Sequence, residues 1–172
     1  MIGPGYVGGI YGISTGGHDY SDIGNTTPYV IYDVDGTYYG GFAGYNFQRN
    51  NLVFGAEVAV SAADVQVIDN AFPLYSYDSY IDLKGRIGYS FGNALIYGQI
   101  GASFAHWIGP GEEANLAGFN YGAGIDYAIS DRIFIGLEYF IRDMSSDDIT
   151  GLLDTTLQTN TQNIQVRIGF SF

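Results

Sequence analysis

"YIDLKGRIGYSF", residues 80–91, decides how this chain reads. Ile81, Leu83, Ile87 and Tyr89 occupy odd positions, while Asp82, Lys84, Arg86 and Ser90 occupy even ones. Alternation with period two marks a β-strand with one apolar and one polar face. The same parity recurs along the chain. In 133–144, Ile133, Ile135, Leu137, Tyr139 and Ile141 oppose Gly136, Glu138 and Arg142. In 117–129, Phe119, Tyr121, Ile125 and Tyr127 oppose Asn120 and Asp126; in 52–62, Phe54, Val58 and Val60 oppose Glu57. In 164–172, Ile164, Val166, Ile168, Phe170 and Phe172 oppose Gln165, Arg167, Gly169 and Ser171.

Every mid-strand charge therefore falls on the polar face: Glu57, Asp82, Asp126 and Glu138 with Lys84, Arg86, Arg142 and Arg167. If the apolar face meets hydrocarbon, a one-residue slip would put four bases in lipid, at about 2–4 kcal/mol each near the midplane. That is a strongly specified register, with the polar face inside. A lipocalin-like barrel in water would show the inverse pattern.

Eight such segments are visible, at 6–14, 37–48, 52–62, 80–91, 94–107, 117–129, 133–144 and 164–172. Three connections are tight-turn sequences: "RNN" (49–51), "GN" (92–93) and "SDR" (130–132). The others are long and polar, as in "TGGHDYSDIGNTTPYVIYDVDG" (15–36) and "SSDDITGLLDTTLQTNTQ" (145–162). Ten residues tilted by about 40° rise about 25 Å, the height of an outer-membrane apolar band. The expectation is all-β: one domain over 1–172, an eight-stranded antiparallel up-and-down transmembrane β-barrel with short periplasmic turns and long extracellular loops.

Composition agrees. The chain has 172 residues with 26 Gly, 16 Tyr and 11 Phe, which suits a crowded barrel wall with an aromatic exterior. A net charge of -12 argues against nucleic acid as a partner. The absence of Cys excludes disulfides and thiolate metal sites. No apolar run reaches the length of a transmembrane helix. "MIGPGYVGG" (1–9) has neither the basic nor the apolar region of a signal peptide, so the chain reads as a mature form.

"GYVGGIYG", "GGFAGYNFQRNNLVFGAE" and "NYGAGIDYAISDRIFIGLEYF" resemble hairpins of the small outer-membrane β-barrels of Gram-negative bacteria. Within these the chain resembles the opacity-protein or porin-family group, related in architecture to the OmpA membrane domain. The resemblance implies the outer membrane as location and surface antigen, adhesin, membrane anchor or porin as roles. "VRIGFSF" resembles the group's C-terminal aromatic signal, which implies that the barrel-insertion machinery reads Phe172.

Eight strands enclose little more than their own side chains. Four acids interleaved with four bases thus suggest a charge-paired, filled interior and a non-catalytic structural anchor, adhesin or binding scaffold. The alternative is a narrow porin-like channel whose wall those charges line. Tyr80, Trp107 and Tyr139 toward the loops, with Tyr89, Phe91, Tyr127, Phe134 and Phe172 toward the turns, read as two aromatic girdles in contact with lipid and lipopolysaccharide.

Thirteen of the remaining acids lie in or beside the long connections, a crown suited to a cation or a basic partner. "DVDG" (33–36) resembles part of a calcium loop, which makes Asp33 and Asp35 metal candidates, but the later acidic ligands are missing. The two histidines, His18 and His106, have no Ser and acid placed to form a triad, so neither an enzyme nor a cofactor is expected.

Overall fold

A computed structural model describes residues 4–22, 30–69, 72–109, 112–146 and 155–172. Eight strands run in sequence order around one closed antiparallel barrel. They are β1 (Gly5–Asp22), β2 (Val30–Arg49), β3 (Leu52–Asp69), β4 (Phe72–Phe91), β5 (Ala94–Gly109), β6 (Glu112–Ala128), β7 (Ile133–Ser146) and β8 (Thr155–Ser171). β1 and β8 close the wall from Tyr6 opposite Ser171 to Asp22 opposite Thr155. Closure leaves the ladder without an edge, as hydrocarbon requires.

Turn chemistry fixes one end. Two-residue connections join β2 to β3 through Asn50–Asn51 and β4 to β5 through Gly92–Asn93. Asn50 (φ 56°) and Gly92 (φ 58°) supply the left-handed residue that each tight turn requires. Between β6 and β7 the Ser130 hydroxyl accepts the Ile133 amide at 3.1 Å.

The strands are 14 to 20 residues long, against the ten or so visible as alternating segments. At that length the wall rises about 35–50 Å, well beyond a 25 Å apolar band. Much of the polar sequence between segments is ladder. Asp33 and Asp35 do not lie in a loop: they face out from β2, paired opposite Gly17 and Thr15 of β1. Outward residues in these extensions are Thr, Asp, Asn and Gln, a composition shared with loops, and backbone pairing does not depend on them.

The ladder between β4 and β5 is irregular at one point. β4 carries an extra residue, Asp78, relative to β5, so Tyr77 pairs with Trp107 and Ser79 with His106. This bulge resets the parity of β4, and both Tyr77 and Tyr80 point inward with their rings stacked at 5.8 Å.

Candidate functional site: the charged interior and the outer wall

Parity places all eight mid-strand charges inside the barrel, none more than 5% exposed. They form two groups. In the larger, Glu57 accepts Arg86 at 2.8 Å and both terminal nitrogens of Arg167. Arg86 also reaches Asp126 at 2.7 Å, and Arg167 Nε lies 3.3 Å from the other oxygen of Asp126. Glu138 accepts from Lys84, from Arg167 at 3.0 Å, from the Tyr97 hydroxyl at 2.9 Å and from Gln165 at 2.8 Å. In the smaller group Arg142 grips Asp82 through two parallel bonds of 3.1 and 2.8 Å and donates to Asn163 at 2.8 Å. Ser103 completes it by donating to Asp82 at 2.6 Å. Bidentate pairing with further hydrogen bonds is what allows charges to stay ionised out of water.

Each base also lies over an aromatic ring. The Arg142 guanidinium sits 4.2 Å from the Tyr80 ring centre, 4.7 Å from Phe140 and 4.9 Å from Tyr38. Arg86 lies over Tyr97 at 3.8 Å, Arg167 over Phe42 at 4.1 Å and Lys84 over Phe140 at 4.5 Å. These are cation–π distances, and the bases are buried. Inward glycines make room for the rings: a Cβ on Gly44 would overlap the Tyr6 phenol, and one on Gly169 the Phe134 ring.

Two of the expected girdle residues are elsewhere. Tyr80 and Phe134 are not in the girdles; both are buried at 1% exposure inside the barrel. Tyr80 shares the parity of Asp82, and Phe134 that of Gly136 and Glu138, so the alternation itself carries the signal. An aromatic near a strand end nevertheless resembles an interfacial one. Sequence reading also missed the inward Tyr6, Tyr38, Phe42, Tyr97 and Phe140, for which parity was again the available cue.

Tyr89, Phe91, Tyr127, Tyr139 and Phe172 do point out of the barrel. Phe172 is bonded through its backbone to Gly5. The Trp107 side chain lies outside the described residues, although its backbone pairs with Tyr77 and Ala114. Arg49 and Arg132 are exposed at the short-turn end.

The exterior falls into two zones. From Phe47, Phe54 and Phe91 up to Tyr39, Ile81, Phe104, Phe119 and Ile164, outward residues are apolar, large ones interspersed with Ala and Gly, with Phe119 at 70% exposure. Beyond them Thr15, Asp33, Asp35, Asp64, Asp78, Asp143, Gln158 and Asn160 are exposed, and no Lys or Arg stands among them. The described inward residues of this outer zone carry no charge: Val34, Val65, Leu116 and Met144 are all 2% exposed or less, and the hydroxyl residues Thr159 and Ser146 are buried beside them. No group of three or more His, Cys, Asp or Glu side chains converges on a common point among the described residues. Asp33 and Asp35 therefore have no third described ligand.

Comparison with known proteins agrees with this architecture. A family profile described as "Outer membrane protein beta-barrel domain" matches residues 3–172. The chain is 28% identical over 115 residues to a 22 kDa outer membrane protein of Rhizobium leguminosarum bv. viciae, covering 62% of this chain and 52% of that protein. It is 28% identical over 140 residues to a 25 kDa outer-membrane immunogenic protein of Brucella canis, covering 77% of this chain and 64% of that one. The chain thus spans only about half to two thirds of these relatives' length. Among solved structures, Neisserial surface protein A superposes with a TM-score of 0.58 at 12% identity, covering 98% of this chain and 97% of that one, a likeness of fold alone.

Proposed function

The chain belongs to the outer membrane protein β-barrel family and resides in the bacterial outer membrane, and from that premise we propose a non-catalytic, non-conducting scaffold that carries an acidic wall beyond the lipid. One observation carries the reading: the eight interior charges are paired and shut away from solvent. A water-filled path through the barrel would wet at least one of them, yet Arg142 and Glu138 are 0% exposed. Apolar groups flank the charges on both sides. Val34, Val65, Leu116 and Met144 lie toward the outer end, and Phe42, Phe134, Val53 and Leu95 toward the turns. The interior polarity that suggests a channel is therefore taken up by mutual neutralisation.

Function then falls to the outer wall. Its exposed carboxylates, with no described base to offset them, set up a negative potential at the cell surface. That field favours divalent cations shared with lipopolysaccharide phosphates, or a basic partner. The immunogenic relative in Brucella canis fits display of such a wall to the outside.

The test is single-channel recording of the refolded protein in a planar bilayer, with folding confirmed by heat-sensitive gel mobility. Silence across many insertions is the expected outcome. Reproducible discrete steps, altered by Arg86→Ala or Arg142→Ala, would replace the scaffold with a narrow channel.

A further inference from the structure

Low on the apolar band, across β6, β7, β8 and β1, the outer wall has a groove of about 670 Å3. Its lower row is Tyr127, Ile135, Ile168 and Gly9, each the ladder neighbour of the next. Its upper row, Leu137, Val166 and Tyr11, is joined in the same way. Gly9 is where the wall sinks. A Cβ there would meet nothing nearer than the Gly40 carbonyl at 3.7 Å, whereas one on the inward Gly8 would overlap Ile168 and Phe42. Packing inside the barrel therefore demands Gly8 but leaves Gly9 open, and a large side chain at position 9 would fill the groove.

Beneath the groove stands a base. Ile133 and Phe170, paired across β7 and β8, form the next outward row, and Arg132 precedes Ile133. The Ser171 amide donates to the Arg132 carbonyl at 2.7 Å, which ties the β6–β7 turn to the end of β8. From Ile135 down to Arg132 is about 10 Å of extended chain, the reach from a phosphate to the first acyl carbons. Arg132 is exposed, and the ion pairs of the described residues all lie inside the barrel, so its guanidinium is free for a phosphate. Asp131, exposed beside it, repels a second negative charge. That combination suits a phosphodiester with one charge better than a phosphomonoester with nearly two. The short turns face the periplasm, so the groove lies in the leaflet of glycerophospholipids, away from the lipopolysaccharide of the other.

We propose that this groove holds one glycerophospholipid of the periplasmic leaflet. Its phosphodiester accepts from Arg132. One acyl chain rises past Ile133 and Phe170, along Ile135 and Ile168, into the hollow at Gly9. The assignment rests on the outer-membrane location and is independent of whether the barrel conducts, so bilayer recording and lipid retention fail separately.

The test is native mass spectrometry of the refolded barrel released from micelles holding equimolar phosphatidylglycerol, diacylglycerol with the same chains, and lipid A. One phosphatidylglycerol per barrel is expected to survive activation that strips the diacylglycerol. Arg132→Gln removes the phosphate's partner, and Gly9→Trp fills the hollow. Each should lower that adduct about tenfold, the equivalent of about 1.4 kcal/mol. Arg49→Gln, at the β2–β3 turn on the far side of the barrel, should leave it unchanged. Lipid A carried elsewhere on the wall should not respond to Arg132→Gln. If Gly9→Trp does not refold, Arg132→Gln alone reads the same site. Diacylglycerol held as firmly as phosphatidylglycerol, an adduct indifferent to Arg132→Gln, an equal loss in Arg49→Gln, or a lipid A adduct that Arg132→Gln removes would each overturn the proposal.

Discussion

Below the outer aromatic row this barrel is greasy outside and ionic inside; above it the same eight strands are acidic outside and, among the described residues, uncharged inside. Ile81 and Asp82 on β4 illustrate the lower zone, Asp64 and Val65 on β3 the upper. The pleat that alternates side chains is common to both. What differs is the medium beyond the wall, lipid in one zone and water in the other. In lipid the exterior must be apolar, and the confined interior can hold charge only by pairing it. In water the exterior turns polar, and the interior packs Val34, Val65, Leu116 and Met144 with uncharged hydroxyls such as Thr159 instead of ion pairs. The ladder runs through the change without interruption, with a bulge at Asp78 beside the junction.

The comparison can be tested by placing like substitutions in the two zones and measuring unfolding in urea from lipid vesicles. The largest loss is expected for Arg142→Ala in the lower interior. It strands the Asp82 carboxylate and should cost about 3–5 kcal/mol. Replacing both partners, as Arg142→Met with Asp82→Leu, should cost less than the single change; a greater cost would mean the pair stabilises the barrel outright. Next is Ile100→Arg on the lower exterior, expected to cost about 2–4 kcal/mol by facing a base to lipid. A cost near zero would put Ile100 outside the bilayer. In the upper interior Val65→Ala should cost about 1–2 kcal/mol, the loss of two buried carbon groups. The smallest effect belongs to Asn160→Arg on the upper exterior, within about 0.5 kcal/mol. If Asn160→Arg matched Ile100→Arg, the two zones would share one solvent and the contrast would collapse.

The lower zone was legible in the sequence because lipid imposes a contrast at every step: Ile81, Asp82, Leu83 and Lys84 allow only one register. The upper zone was not. "YDVDG" alternates as faithfully as any segment, with Val34 in and Asp33 and Asp35 out, but Asp and Gly also build turns, and composition outweighed period. Tyr80 and Phe134 show the reverse failing, since parity placed them inside while the habit of aromatics at interfaces placed them outside. Which acid meets which base was beyond reach. Arg167 meets Glu57 across 110 positions of sequence, and that encounter depends on the stagger of a closed barrel rather than on any local pattern.

Closure by β1 against β8 has a consequence in time as well as in space. Strands β3 to β7 bring four acids to the interior network but only three bases, and the fourth base, Arg167, arrives with β8. Until that strand docks, Glu57 and Glu138 lack a partner that both share afterwards. Without β8 the interior would hold four acids against three bases, an uncompensated negative charge that resists entry into hydrocarbon. Completing the seam and balancing the interior are one event. Contacts that join residues more than a hundred apart are slow to form, and here the same contacts balance the charge inside the barrel.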